Sequence, residues 1–422
     1  MKKAKFVALL AGFSFISLAI VVQAIIPSRL KETSIKYVEK TIRTPLGELS
    51  QIKADARPYE GQIEKGRKIY LREGCWYCHS MYIRPVAGEE RRWGPVSQVG
   101  EYVWDTPHLF GTRRIGPDLI REGGKYGNDW HRVHFANARI IVPDSIMPKF
   151  PWLFETQNGM EVPNAEGEAL IAFVQNLGMN RGKWRDEFTS QMVTGGSAAI
   201  TTPASLSHGN EVYEKRCQGC HGEKGDGKGP AAAFFAKVLP RDFTTATFKF
   251  RTTPSGSLPL DTDLYRSITM GVPGTAMPPW FELPEVDRWD VVQYLKTFGS
   301  YFTESTPEPP FFVPSAPKSS EELLARGKEL HGLYQCDACH GKDGKGDGPS
   351  AATLTDDWGD PIRPADFTTG VFKVGPQPED IYRTVMTGLN GTPMPSYDSI
   401  LSSEDDRWAL AYFILSRSAD QP

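Results

Sequence analysis

Cys75-Trp76-Tyr77-Cys78-His79 is the stretch on which the reading turns, because its frame returns as Cys217-Gln-Gly-Cys220-His221 and again as Cys336-Asp-Ala-Cys339-His340. The three copies use all 6 cysteines of the chain. Cys-x-x-Cys-His is the spacing of c-type haem attachment. Two thiols add across the two vinyl groups of one porphyrin, and the adjacent imidazole reaches the iron. A zinc knuckle would need further ligands nearby, and a redox dithiol has no use for the trailing histidine. Ordinary disulfides are the remaining alternative. The expectation is three covalently bound haem c groups, held by Cys75 and Cys78, Cys217 and Cys220, and Cys336 and Cys339, with His79, His221 and His340 on the irons.

Working outward, the 422 residues leave room for three small domains of about 100 residues each. A net charge of -3 gives no reason to expect nucleic-acid binding. The 33 prolines and 40 glycines predict much irregular chain. Small haem domains tolerate this, because the porphyrin supplies apolar core that so short a chain lacks.

Residues Phe6 to Ile26 carry no charge. At about 1.5 Å per residue the run spans a bilayer core of roughly 30 Å. Lys2, Lys3 and Lys5 precede it and Pro27 closes it. The positive end is expected in the cytoplasm. That makes a single-pass anchor in the bacterial cytoplasmic membrane, with everything beyond residue 30 on the periplasmic face. A cleaved signal peptide ending near Val22-Gln-Ala24 is the alternative; the length of the apolar run favours an uncleaved anchor.

The C-terminal half is a tandem duplication. Residues 209–298 carry Gly-Asp-Gly-Lys-Gly-Pro230, Asp242-Phe243-Thr-Thr, Leu264-Tyr265-Arg266, Gly274-Thr-Ala-Met277-Pro278 and Asp287-Arg-Trp289. Residues 327–417 answer with Gly-Lys-Gly-Asp-Gly-Pro349, Asp366-Phe367-Thr-Thr, Ile381-Tyr382-Arg383, Gly391-Thr-Pro-Met394-Pro395 and Asp406-Arg-Trp408. A first unit, about 58–180, shares the plan with different wording and an aromatic, Arg-rich insertion from Trp93 to Arg114. Residues 181–206 read as a polar linker, and 300–320, with five prolines, as an extended spacer.

The coarse reading is helical. A helix leads into each motif, with Gly66, Gly209 or Gly327 eight or nine residues before the first cysteine. A second helix closes each unit, seen in the stripes Leu170-Phe173-Val174-Leu177 and Val291-Tyr294-Leu295-Phe298. The two helices are expected to cross at the glycine. Ser402 with Asp405 reads as a capping box for the last one.

Met147, Met277 and Met394 are the candidate second axial ligands. Each precedes a proline, lies in a loop and comes before the closing helix. A thioether favours ferrous iron, and His/Met ligation raises the potential. It also fills the sixth position, so no catalytic residue is expected. Met160 is a rival in the first unit; His108, His131, His134, His208 and His331 are alternatives for bis-histidine ligation. Met270 and Met386 read as packing residues. The carbonyls of Pro117, Pro230 and Pro349 are candidates to accept the imidazole Nδ1–H. Arg84, Arg113, Arg114, Arg241 and Arg363 are candidates to pair with haem propionates.

Gly74-Cys-Trp-Tyr-Cys-His-Ser-Met-Tyr-Ile-Arg-Pro85, Thr106-Pro-His-Leu-Phe-Gly111, Gly123-Gly-Lys-Tyr-Gly-Asn-Asp-Trp-His-Arg132 and Val142-Pro-Asp-Ser-Ile-Met-Pro-Lys-Phe-Pro-Trp152 say more. Over about residues 1–180 they resemble the mono-haem, membrane-anchored cytochrome c subunit of cbb-type (C-family haem-copper) cytochrome c oxidases. The resemblance implies a single N-terminal transmembrane helix, an exported haem domain with His79 and Met147 as axial pair, and docking on a haem-copper catalytic subunit through the Trp93–Arg114 insertion. The chain departs from that family after residue 180, where two domains similar to class I cytochromes c are fused. The expected fold is therefore mainly α, an anchor at 1–30 followed by three such domains at 58–180, 207–299 and 321–418. The expected role is electron transfer to a membrane terminal oxidase, fed by a small redox donor such as a soluble cytochrome or a quinol-oxidising complex. The alternatives are a tri-haem acceptor subunit of a periplasmic dehydrogenase, an electron-donor subunit of a nitric oxide reductase, or a free tethered shuttle.

Overall fold

A computed structural model of the chain describes residues 2–30, 35–43, 46, 49–86, 88–111, 113–157, 160–179, 201–235 and 238–418. Helix α1, Lys2–Ile20, runs through a widened turn at Val21–Ile25 into a last helical piece, Ile26–Arg29. Pro27 offers no N–H and its ring crowds the carbonyl one turn back, and the widened turn absorbs both. The apolar helix Lys3–Arg29 covers 27 residues, and none of its apolar window is buried within the protein. A helix apolar on every side with nothing packed on it suits a bilayer rather than water.

Next comes a hairpin that the sequence reading passed over. Strands β1, Tyr37–Arg43, and β2, Leu49–Asp55, pair antiparallel from Tyr37 opposite Asp55 to Arg43 opposite Leu49. It rests on the turn Val99–Tyr102, where the Gln98 amide and the Glu39 backbone exchange hydrogen bonds of 2.8 and 3.0 Å.

The first unit consists of α2, Gly61–Arg72, α3, Asn128–Asn137, a small hairpin of β3, Phe154–Gln157, with β4, Met160–Pro163, and α4, Ala165–Asn176. The second has α5, Pro203–Arg216, α6, Asp261–Met270, and α7, Glu285–Leu295. The third repeats this with α8, Glu321–Leu333, α9, Pro378–Thr387, and α10, Glu404–Ser416. The glycine crossings occur as expected. A Cβ on Gly66 would lie 1.9 Å from the Ala169 carbonyl oxygen, on Gly209 2.2 Å from that of Asp290, and on Gly327 2.0 Å from that of Ala409. No side chain fits there, so glycine lets the leading and closing helices touch backbone to backbone. The striped positions fill the cores: Leu170, Phe173 and Val174 in the first unit, Val291 and Leu295 in the second, Leu410, Phe413 and Ile414 in the third.

Two details differ from expectation. Residues 180–200, most of the polar linker, lie outside the described residues, and Thr202 already caps α5. Ser403, one residue later than read, caps α10 by accepting the Asp406 N–H. The proline-rich spacer runs extended after a short helix at Tyr301–Glu304. It is tied to both C-terminal units, by Phe311 N–H on the Thr252 carbonyl at 2.7 Å and by the Tyr412 hydroxyl on the Pro317 carbonyl.

The second unit sits between the other two. Val133 and Ile141 of the first unit form an apolar cluster with Ala231, Phe235 and Ala276 of the second, and Lys125 reaches Glu282 at 2.9 Å. On its other side, buried Arg251 donates to the Thr387 carbonyl at 2.9 Å, and Arg266 pairs with Asp380 at 3.0 Å.

Candidate functional site

Each Cys-x-x-Cys-His frame lies in a tight helical turn just after the leading helix. Gly74, left-handed at φ 70°, turns the chain from α2 into Cys75–Tyr77. The other two frames close as short helices, Gln218–His221 and Asp337–His340. None of the six cysteines is paired in a disulfide. Burial pushes Cys75, Cys217 and Cys220 up to about 12 and Cys336 to about 11. Such surroundings suit an uncharged sulfur, as in a thioether, and not a metal-bound thiolate. Among the described residues no three His, Cys, Asp or Glu side chains converge as a zinc knuckle requires.

The histidines are oriented through Nδ1. His79 Nδ1 lies 2.8 Å from the Pro117 carbonyl, His221 Nδ1 3.1 Å from that of Arg241, and His340 Nδ1 3.2 Å from that of Ala365. A carbonyl can only accept, so Nδ1 carries the proton and Nε2 keeps its lone pair for a metal. Burial holds all three rings neutral, pushing His221 down to about 4. A Cβ on Gly116 would come within 2.2 Å of the His79 ring, so the bare backbone there makes room for the imidazole. In the duplicated units Phe243 and Phe367 stack on His221 and His340, each at 4.5 Å and 21°.

The expected role of the prolines holds only at Pro117. In all three units the preceding glycine turns back on the motif itself, Gly116 N–H to the Cys78 carbonyl at 2.9 Å, Gly229 N–H to that of Cys220 and Gly348 N–H to that of Cys339, both at 3.1 Å. In the duplicated units, however, the imidazoles meet the later carbonyls of Arg241 and Ala365, at matching positions beside Asp242 and Asp366.

Met147, Met277 and Met394 share a local geometry that their sequences do not advertise. Each backbone N–H is held by a hydroxyl two residues earlier, from Ser145 at 3.2 Å, Thr275 at 3.1 Å and Thr392 at 3.2 Å. Val272 and Leu389 N–H then return to the Met277 and Met394 carbonyls, each at 3.1 Å. All three methionines are half-buried. Met147 packs on the apolar cluster that Cys75 also touches. Met160 lies exposed on β4, and Met386 is fully buried in the third core. Of the other histidines, His208 pairs with Asp290 at 2.8 Å and His108 stacks on Phe110. His131, His134 and His331 keep one ring nitrogen each buried and unpartnered, and burial pushes His131 and His134 down to about 3.

Further buried donors await an acceptor: Tyr70 Oη, Arg288 Nε, Arg417 Nε, and the indole N–H of both Trp289 and Trp408, which match in the duplication. Orphaned donors around paired cysteines and neutral imidazoles fit a large apolar group with carboxylate ends, which haem c is. Not every candidate arginine stands ready for those carboxylates. Arg84 and Arg114 are spent on Glu89, and their guanidinium groups pull its carboxyl down to about 2. Arg113 and Arg363 point to solvent, and Arg241 lies 4.8 Å over the Trp358 ring. The sequence reading also missed two buried ion pairs in or against the insertion, Arg121 with Glu101 and Arg67 with Asp105.

Residues 8–191 match the family model described as cytochrome C oxidase, mono-heme subunit/FixO. Residues 204–295 match cytochrome C oxidase, cbb3-type, subunit III, and residues 324–418 match cytochrome c. A solved chain from the Kuenenia stuttgartiensis reducing HAO-like protein complex is 45% identical, with 52% of this chain and 98% of that chain covered and a TM-score of 0.49. No curated protein matches.

Proposed function

We propose, for a chain that is a FixO-like membrane cytochrome c fused to further c-type domains, that it feeds electrons to the catalytic subunit of a membrane haem-copper oxidase. A multi-haem electron-transfer role and a membrane anchor follow from the family matches; the oxidase partner, three haems and the periplasmic face are our reading. The observation that carries it is the match over residues 8–191 joined to the apolar helix Lys3–Arg29.

Bound haem supplies a one-electron iron couple. The chain's own residues do the rest. In this reading Cys75 and Cys78, Cys217 and Cys220, and Cys336 and Cys339 fix the three porphyrins. His79, His221 and His340 present Nε2 to the irons, with Nδ1–H held by a carbonyl. Met147, Met277 and Met394 would offer thioether sulfur to the same irons. Iron ligated by both imidazole and thioether would leave no position for oxygen or substrates, so this polypeptide would conduct and not turn over. Three units, about 58–180, 207–299 and 321–418, then form a relay in which the middle one touches both neighbours. Electrons enter at the distal sites around His340 or His221 and leave through the site around His79, closest in sequence to the anchor.

Mild detergent extraction followed by purification through a tag at the C-terminus tests this. A haem-copper subunit in the eluate is the expected result. A flavin- or quinone-cofactor subunit instead, or no partner, would sink the assignment.

A further inference from the structure

The residue just before the second cysteine differs in every copy of the motif: Tyr77 in the first unit, Gly219 in the second and Ala338 in the third. Attachment chemistry therefore does not ask for glycine there. Nor does the backbone, because Gly219 lies in the helical turn Gln218–His221. What leaves no room for a side chain is the first unit. A Cβ on Gly219 would lie 2.1 Å from the Ile140 carbonyl oxygen, and the Ile141 Cα is next behind it. A glycine here lets two backbones touch.

The other half of the second site is covered by the same stretch of chain. Gly127 opens α3 in an ordinary extended conformation, φ −74°. A Cβ on it would come 2.3 Å from the Thr275 carbonyl oxygen. Thr275 is the residue whose hydroxyl holds the Met277 N–H. Between these two close approaches, Trp130 and Val133 of α3 share one apolar cluster with Cys220 and Ala276. The Lys125–Glu282 ion pair, at 2.9 Å, fastens the edge. The segment from Gly127 to Ile141 thus reaches from the methionine loop of its neighbour to that neighbour's cysteine motif.

The outer units keep this face open. The residue before the methionine is Ala276 in the second unit, 7% exposed, but Ile146 in the first, 74% exposed, and an exposed Pro393 in the third. Pro278 is buried, whereas Pro148 and Pro395 are exposed. Tyr77, at the place of Gly219, is 63% exposed.

We infer that the second unit is a closed inner relay: α3 and its flanks lie across its cysteine motif and methionine loop, so redox partners from outside meet the outer two units alone. This rests on the proposed function, in particular on reading the Cys217 motif as a haem site, and it narrows electron entry to the third unit. Gly219 and Gly127 are positioning residues that let the joint close without water. Excluding water from a haem site disfavours the more highly charged ferric state, so the joint raises the potential of the second site.

The test uses the full-length protein in detergent, with haem counted as the pyridine haemochrome, the redox titration resolved into Nernst components, and amide hydrogen exchange followed by mass spectrometry. Gly219→Ala puts into the second motif the residue that the third carries, and Gly127→Ala strikes the same joint from outside every motif. Each should keep three haems, lower the same single component, and quicken exchange in residues 127–142 and 271–279 together. Three haems with no component lowered, or with exchange at 271–279 unchanged, would overturn the closed relay and leave the haem reading intact. Should Gly219→Ala lose a haem, Gly127→Ala decides on the same readouts. Fewer than three haems in the wild type would remove both readings.

Discussion

Met394 is pinned twice, its N–H on the Thr392 hydroxyl at 3.2 Å and its carbonyl under the Leu389 N–H at 3.1 Å. A loop held this way aims its side chain without help from the sulfur, so truncation should leave the loop in place. Met394→Ala is expected to keep all haem attached, to lose about a third of the near-infrared sulfur-to-iron band of the oxidised protein, and to bind carbon monoxide when reduced. An undiminished band would remove Met394 as a ligand. The same reasoning in the first unit concerns charge. Arg121 and Glu101 are almost wholly buried, at 2% and 3% side-chain exposure. Glu101→Gln strands the guanidinium and should cost about 3–5 kcal/mol in chemical denaturation. The double variant Arg121→Met with Glu101→Gln should recover much of that loss. This pair was illegible in the sequence because Arg121 and Glu101 lie in different loops with nothing periodic to join them. The cysteines and histidines were legible because one porphyrin fixes their spacing within five residues.

The helices are where sequence and structure agree most closely, and Gly327 shows why. It falls on the buried stripe of α8 where α10 crosses, and a Cβ there would sit 2.0 Å from the Ala409 carbonyl oxygen. Gly332 lies on the same helix with open space around it. Gly327→Ala should destabilise the third unit by about 1–3 kcal/mol through overpacking. Gly332→Ala should be neutral or stabilise by about 0.5 kcal/mol. Equal effects in thermal unfolding would refute the crossing argument. The hairpin β1–β2 escaped the reading because only Val38 and Thr41 of its first strand are buried, which leaves little alternating pattern to see. The cap of α10 was misplaced by one residue because Ser402 and Ser403 are adjacent and each has an aspartate three positions on. The imidazole acceptors were missed for a different reason. They lie 20 and 25 residues from their histidines, and only the folded strap brings Arg241 and Ala365 back.

At the scale of the whole molecule, one helix among the described residues is long and apolar enough to cross a bilayer, while the cores of the three units are closed by their own helices. In a host without a haem-copper oxidase, replacing residues 1–30 with a cleavable export signal should therefore move the protein to the soluble fraction with its visible spectrum unchanged. Retention in washed membranes would mean that the haem units themselves grip the lipid or a resident partner. The apolar joint between the first and second units is packed by both Cys220 and Trp130, and Trp130 stacks on His134 at 4.4 Å. The middle unit thus touches both neighbours, an arrangement that the repeat pattern alone did not foretell. The paired faces of the duplication carry one last consequence. The facing sides of the two copies are spent on each other within one polypeptide, so gene doubling here withdrew that seam from neighbouring molecules.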